Sequence, residues 1–438
     1  MKLILRKVNQ YVKNSSPPRL IAFGFASVIF LGAILLMLPI SVRDGQTVSF
    51  IDALFTSTSA VCVTGLIAID TAEHFTVFGR TVVALLIQIG GLGVTCVGVT
   101  IILAAGKRVG FKVRKLIKES WNIGGYGGLV KLVKYVLKIT LLFELVGAVL
   151  SFIVFVQDYP PLDALGISLF HSVAAFNNSG FDILGGLTNL IPYQNDILLN
   201  LVTSGLIIFG GIGFLVIIDV KNKKSFKKLT FHSKAVISVS IALIVIGTLL
   251  IKLTENVTWL GAFFQSVSAR TAGFSTYNLG NFTNAGLFVL VILMFIGASP
   301  GSTGGGIKTS TLFVIGNVMK SIMTHQHCVA FKRRISENII MQAFVVVILS
   351  LCVVIISTFL LCIVEPGFTF MQLLFESTSA FGTVGLSTGI TSHLSVLGKV
   401  IIILTMYIGR IGAMTIVTLG VYKEPMTAVY STEDIMIG

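Results

Sequence analysis

Four times along this chain, a short segment rich in small residues and ending near a glycine sits between two long apolar stretches. The segments are F-T-S-T-S-A-V-C-V-T-G-L (Phe55–Leu66), F-H-S-V-A-A-F-N-N-S-G-F (Phe170–Phe181), F-Q-S-V-S-A-R-T-A-G-F (Phe264–Phe274) and F-E-S-T-S-A-F-G-T-V-G-L-S (Phe375–Ser387). Their last glycines, Gly65, Gly180, Gly273 and Gly385, are separated by 115, 93 and 112 residues. A second glycine follows each after 24–30 residues: Gly90, Gly210, Gly297 and Gly409, in Q-I-G-G-L-G, I-F-G-G-I-G, F-I-G-A-S-P and Y-I-G-R-I-G. Self-similarity at such a period means one supersecondary unit used repeatedly. The flanking stretches reach the roughly 18–20 apolar residues that cross a bilayer, and the short segments do not. The chain is 54% hydrophobic and 11% charged, against about 25% charged in a soluble domain, which excludes a single water-soluble core.

The expected fold is all-α and membrane-integral. It has four tandem units of helix, pore helix, loop and helix (M1-P-M2), giving eight transmembrane helices around a central pore with pseudo-four-fold symmetry. The units read as 20–106, 132–220, 235–316 and 338–421, with the short segments at 50–62, 162–176, 258–270 and 369–381. Between them lie 107–131, 221–234 and 317–337, and the ends are 1–19 and 422–438. Of the 32 basic residues, 26 fall in 1–19, 107–138, 221–234, 308–334 and at Lys423. That distribution is the positive-inside pattern; it places both termini and the three loops in the cytoplasm of a multi-pass cell-membrane protein. Acidic residues such as Asp70, Glu73, Asp182 and Glu255 fall on the opposite side. Topology therefore accounts for the net charge of +14, and nucleic acid is not needed to explain it. The first 19 residues have no apolar core and do not read as a signal peptide. The cysteines, Cys62, Cys96, Cys328, Cys352 and Cys362, lack metal-ligand spacing and are expected as free thiols.

A re-entrant loop puts non-helical backbone at membrane depth, which is tolerated where it is buried in protein or lines a watery cavity. A dehydrated cation needs oxygen ligands, and rings of backbone carbonyls supply them, helped by the negative C-terminal ends of short helices. The candidates are Val63-Thr64-Gly65, Asn178-Ser179-Gly180, Thr271-Ala272-Gly273 and Thr383-Val384-Gly385. The bland alternative is that each glycine only caps a short helix. A second unusual stretch is G-A-S-P-G-S-T-G-G-G-I-K-T (Gly297–Thr309), inside the last span of the third unit. It is not a Walker A loop, since Ile307 separates Gly306 from Lys308 and an apolar helix precedes it. Pro300 and the glycines break the helix, and the expected role of Gly301, Ser302, Thr303, Gly304, Gly305, Gly306 and Lys308 is a gate, with an ordinary kink as the alternative. Arg410, deep in an apolar span, marks an ion path, a partner for the broken helix's freed carbonyls, or a structural ion pair. Arg270 is expected to meet carbonyls or Glu376. Glu144 is alone in its span and has no assigned role.

The four-unit plan resembles the Trk/Ktr/HKT superfamily of potassium transporters, and specifically the bacterial Ktr membrane subunit. The resemblance covers nearly the whole chain and is carried best by S-A-R-T-A-G-F-S (Ser268–Ser275), by Gly297–Thr309 and by G-R-I-G (Gly409–Gly412). It implies channel-like K⁺ uptake with one filter glycine per unit, an intramembrane gate loop with Arg410 beside it, and no enzymatic activity. It also implies a homodimer, a cytosolic ring-forming nucleotide-binding regulatory subunit of RCK type, and possible Na⁺ activation, with no nucleotide bound by this chain. The alternative is a Na⁺- or H⁺-coupled secondary transporter of another solute. Such a protein needs acidic residues near the midplane and inverted repeats, whereas here the repeats run parallel and only Glu144 is a candidate.

Overall fold

The computed structural model describes residues 17–104, 109–120 and 128–415. Most of the basic N-terminal segment, the Gly124–Gly127 part of the first loop and the C-terminal tail lie outside the described residues. Those described are helical apart from short turns and one two-stranded hairpin, Val329–Ala330 paired with Arg333–Arg334.

Four helices are long and apolar enough to cross a bilayer: Pro17–Leu36, Leu129–Phe155, Phe231–Thr254 and Glu337–Val364, of 20, 27, 24 and 28 residues. At about 1.5 Å per residue these match the roughly 30 Å hydrocarbon core. Their outer faces carry Leu141, Leu145, Ile246, Ile355 and Phe359, each more than half exposed. Water would not tolerate such a continuous surface, and lipid does.

In the interior, small and polar groups at the helix crossings sit among buried phenylalanines such as Phe55, Phe176, Phe264 and Phe375. Each short helix, Phe50–Cys62, Pro161–Phe176, Trp259–Ser268 and Phe370–Gly382, follows a long helix and packs on it. A Cβ on Gly32 would meet Ser57 Oγ at 2.4 Å and Leu86 at 2.7 Å; on Gly147, Ser172 Oγ at 2.5 Å and Leu206 at 2.6 Å; on Gly247, Ser266 Oγ at 2.4 Å and Leu293 at 2.9 Å. The same serines donate to the long helix one turn back: Ser57 to the Ile29 carbonyl and Ser172 to that of Glu144, both at 2.6 Å, and Ser266 to that of Ile244 at 2.9 Å. Long helix, short helix and following helix thus lock by one device used three times. In the fourth, Glu337–Val364 contains no glycine, and Ser377 Oγ is buried without a hydrogen-bond partner.

The helices that follow the short ones are not continuous. The second transmembrane helix expected in each of the first two units divides instead, into Val77–Leu92 with Val94–Ala104 and Ile197–Gly211 with Phe214–Lys223, the pairs bent by 98° and 96°. Val396–Ile411 likewise ends at Gly412. The cause is the glycine three positions after Gly90, Gly210 and Gly409: Gly93, Gly213 and Gly412 hold φ of +83°, +94° and +93°, which L side chains avoid. The earlier glycines serve packing. A Cβ on Gly90, Gly210 or Gly409 would lie 1.9–2.1 Å from the carbonyl of Val61, Phe176 or Phe381 near the end of the adjacent short helix.

Candidate functional site

The four short helices begin with local caps and end on strained residues. Ser49, Thr258 and Thr369 accept from the amides of Asp52, Gly261 and Gln372, and the second helix starts at Pro160-Pro161. Past their C-terminal ends, Val63, Asn178, Thr271 and Thr383 take φ of 58°, 59°, 84° and 50°. Two residues on, Gly65, Gly180, Gly273 and Gly385 take φ of 90°, 67°, 80° and 95°. In the first and fourth units the left-handed cap is Val63 and Thr383. The glycine that follows therefore serves another purpose than ending the helix.

That purpose is close approach. A Cβ on Gly65 would lie 2.1 Å from the Ser179 oxygen, and one on Gly180 2.7 Å from that of Ala272. On Gly273 it would lie 2.2 Å from the Val384 oxygen, and on Gly385 2.1 Å from that of Thr64. The circuit runs first to second to third to fourth and closes on the first. Segments more than 300 residues apart in sequence thus form one ring of backbone, in which no side chain fits at any glycine. The apolar residue after each glycine, Leu66, Phe181, Phe274 or Leu386, is buried behind the ring and pins it.

The backing is unequal. Ser59 Oγ accepts the Gly65 amide at 3.0 Å and donates to the Leu66 carbonyl at 2.8 Å, and Ser379 Oγ accepts the Gly385 amide at 3.1 Å. Ser268 donates to the Phe274 carbonyl. The second unit has Ala174 there; its loop is held by the Asn178–Thr271 side-chain contact at 3.2 Å and by Asn189, which donates to the Gly180 carbonyl at 3.2 Å. The residue after each motif's first phenylalanine is Thr56, His171, Gln265 or Glu376, all buried. Gln265 donates to Ser275 Oγ at 2.7 Å. At the equivalent place Glu376 accepts from Ser387 Oγ at 2.9 Å and from Thr391 Oγ1. The ion pair considered for Arg270 with Glu376 does not form: the carboxylate is taken by hydroxyls, and Arg270 Nε is buried without a partner. Glu144 accepts from Asn177 Nδ2 at 3.1 Å, and the same amide reaches Gln88 at 2.8 Å, so it stiffens the second short helix from behind.

On one side the ring opens to a cavity of about 340 Å³, lined by Gly65, Gly273, Gly385, Asn189 and Ser387 among others. On the other lies the broken helix. Asn284–Phe295 stops, Ile296 and Ile307 form a single parallel bridge, and the helix resumes at Thr309. The apex of the loop sits against the ring: a Cβ on Gly304 would lie 2.2 Å from Thr271 Oγ1, and one on Gly305 2.4 Å from Thr383 Oγ1, which accepts the Gly305 amide at 2.9 Å. Thr303 is fully buried, its amide donating to the Gly210 carbonyl at 3.2 Å. Ser302 donates to the Ser299 carbonyl at 2.6 Å, and the Gly301 carbonyl accepts the Phe214 amide at 3.0 Å. Lys308 Nζ caps the Gly304 and Gly305 carbonyls at 2.7 and 3.2 Å. Arg410 donates to the carbonyls of Thr303 and Gly90. Of the roles open to it, partnering freed carbonyls is the one observed, and it makes no ion pair among the described residues.

Sequence reasoning missed three features: the bends at Gly93 and Gly213, the hydroxyl network of Glu376, and the Lys399–Asp52 ion pair of 2.7 Å that ties the fourth unit to the first. The recurring third glycine of G-x-x-G was a signal for the first; nothing in the sequence pairs residues 347 apart.

Oxygen-lined backbone, helix C-termini pointing inward and the absence of carboxylates from the ring suit a cation stripped of water. Comparison with known proteins agrees in kind. The TrkH family, described as "Cation transport protein", matches residues 20–260 and 242–430. The Ktr system potassium uptake protein B of Bacillus subtilis is 40% identical over the full length of both chains. The potassium/sodium uptake protein NtpJ of Enterococcus hirae is 39% identical over 97% of this chain and 98% of its own. The crystal structure of the potassium transporter TrkH from Vibrio parahaemolyticus superposes with a TM-score of 0.73 at 18% identity, covering 93% of this chain and 85% of that one, and so shares the fold. The chain belongs to the Trk/Ktr family of cation transport proteins, as a membrane subunit.

Proposed function

We propose that this chain is the ion-translocating subunit of a Ktr-type potassium uptake system, with four M1-P-M2 units making eight crossings around one pore. The observation that carries the reading is the closed circuit of Gly65, Gly180, Gly273 and Gly385, each barred from a side chain by its neighbour's backbone. In this reading Val63–Gly65, Asn178–Gly180, Thr271–Gly273 and Thr383–Gly385 are the selectivity filter. The loop Gly301–Lys308 is the gate, held shut by Arg410. Permeation is K⁺ diffusing through a selective ring, and Na⁺, which the name of one relative includes, is either a weaker permeant or an activator. The "Ktr system" of the relatives' names supports a separate partner subunit, for which we propose a cytosolic nucleotide-binding ring, with the chain itself a homodimer and both termini cytoplasmic.

The test is ⁸⁶Rb⁺ uptake into liposomes containing the purified chain, with K⁺ or Na⁺ as competitor. Competition by K⁺ at concentrations at least tenfold below those needed for Na⁺ is expected. Uptake that K⁺ does not inhibit overturns the reading and leaves the coupled transporter of another solute.

A further inference from the structure

Remote from the ring, at the N-terminal end of Phe231–Thr254, a cavity of about 750 Å³ is walled by Lys223, Lys227, Lys228, Lys234, Lys332 and Arg333, with no carboxylate in its lining. The helix has 24 residues, so this end lies about 36 Å from the end that leads into the third short helix. Two of the cations are engaged: Lys223 with Asp219 at 3.0 Å, and Lys234, whose Nζ donates to the Lys227 carbonyl at 2.8 Å. Lys227, Lys228, Lys332 and Arg333 make no side-chain hydrogen bond or ion pair among the described residues.

The cavity is built, since its far wall is a hairpin clamped in place. Ala330 pairs with Arg333, which leaves Phe331 and Lys332 as a two-residue turn at φ of 47° and 62°. Such a turn favours Asn-Gly, and a phenylalanine and a lysine there are strained. The conformation seats the Phe331 ring in an aromatic cluster, stacked on Phe313 at 5.9 Å and edge-on to Phe226 and Phe231 at 6.3 Å. With the ring anchored, Lys332 and Arg333 face the lysines of 223–234 across the cavity. The lining also has an apolar component, Leu229, Phe231 and Phe331, of which Phe331 is 40% exposed, and Ile241 and Val245 are exposed further along the helix.

We propose that this cavity binds the phosphate-bearing headgroup of an anionic phospholipid, its acyl chains lying along the exposed side of Phe231–Thr254. Topology explains why basic residues collect at one membrane face. It does not explain a strained hairpin that turns two more cations toward four lysines of which only Lys223 has a carboxylate partner. Phosphate oxygens supply the missing partners, and basic pockets at helix ends are suited to lipid headgroups. The exposed aromatic wall favours a lipid over a free phosphate, which has no use for it.

Native mass spectrometry of the full chain in detergent, titrated with phosphatidylglycerol, phosphatidylcholine or inorganic pyrophosphate, tests the proposal. Wild-type protein is expected to retain phosphatidylglycerol in preference to the other two. Lys332→Gln with Arg333→Gln, and separately Lys227→Gln with Lys228→Gln, which leaves the hairpin untouched, should each weaken that binding about 20- to 30-fold, the effect of removing two cations near a membrane surface. Equal phosphatidylglycerol affinity in wild type and both variants overturns the site. Pyrophosphate binding as tight as phosphatidylglycerol, and lost in the same variants, overturns the lipid as its source.

Discussion

Replacing Arg410 separates two accounts of the proposed gate. Its guanidinium joins the loop, at the Thr303 carbonyl, to the end of Val77–Leu92, at the Gly90 carbonyl. Hydrogen bonds from a charged donor are worth about 1.5–3 kcal/mol each. Arg410 is half-buried, so the lower value applies and the strap contributes about 3 kcal/mol. At about 1.4 kcal/mol per tenfold, Arg410→Gln lowers the closed-to-open ratio of the loop about 100-fold. A loop shut about 99% of the time becomes about half open, and the initial rate of ⁸⁶Rb⁺ entry into proteoliposomes rises about 50-fold. If Arg410 acts instead only as a positive charge in the path, Arg410→Lys, which keeps the charge and loses the fork, leaves the rate unchanged. If it is a strap, Arg410→Lys gives an intermediate rise of several-fold, since the ammonium cannot bridge both carbonyls in the same geometry. Unchanged uptake in Arg410→Gln protein that keeps its melting temperature would refute both accounts and leave Arg410 a packing residue.

Two further changes probe the ring. Gly385→Ala places a Cβ 2.1 Å from the Thr64 oxygen at a φ of 95°, combining backbone strain with overpacking of about 1–3 kcal/mol each. The K⁺ preference over Na⁺ in ⁸⁶Rb⁺ competition should fall at least tenfold, and an unchanged ratio would count against a filter at this level. Glu376→Gln copies the side chain of the third unit and should keep most of the selectivity, because Gln265 already holds Ser275 at the equivalent place. Glu376→Ala removes the carboxylate acceptor of the Ser387 and Thr391 hydroxyls and leaves them their mutual contact at 3.0 Å, a loss of about 1–3 kcal/mol, and should raise the half-saturating K⁺ concentration several-fold while the maximal rate moves less. Equal kinetics for the glutamine and alanine variants would show that the carboxyl does not position the loop.

The long helices and the short ones were legible because each level of sequence agreed: apolar length, small-residue motif and glycine spacing all pointed to the same elements. The helix break at Gly297–Thr309 was legible for the same reason, since proline with five glycines permits no helix. The bends in the first two units were not foreseen, although Gly93 and Gly213 stand in plain view. A single glycine in an apolar helix is compatible with continuation, and only its positive φ, fixed by what packs around it, turns the chain. The freed carbonyls of the broken helix were legible as partners for Arg410, and Thr303 is one; the Gly90 carbonyl lay beyond sequence, because a backbone carbonyl in another unit carries no residue identity to search for. The role of Glu144 was hidden likewise, since its partner Asn177 lies just past the end of another helix and reads as one more polar residue beside a filter candidate.

If the ring selects and the loop gates, as proposed, the unequal backing of the ring bears on how the two are joined. Thr383 caps the fourth short helix with its backbone in the left-handed region and accepts the Gly305 amide with its side chain. Thr271, two residues before Gly273, lies against Gly304 in the same way. The loop is thus keyed to the third and fourth segments, while Thr303 and Arg410 tie its other side to Gly210 and Gly90, in the second and first units. A loop held by all four units cannot swing aside without releasing a bond to the ring. On the proposed reading, withdrawing Gly305 would free the Thr383 hydroxyl, and a free hydroxyl there would be a ligand for a permeating cation. A four-fold assembly of identical chains would repeat every such contact. A single chain can place the loop in one unit, the reinforcing carboxylate in another and the closing Lys399–Asp52 pair between the last and the first, which is what the proposed gate requires if one moving part is to serve a fixed ring.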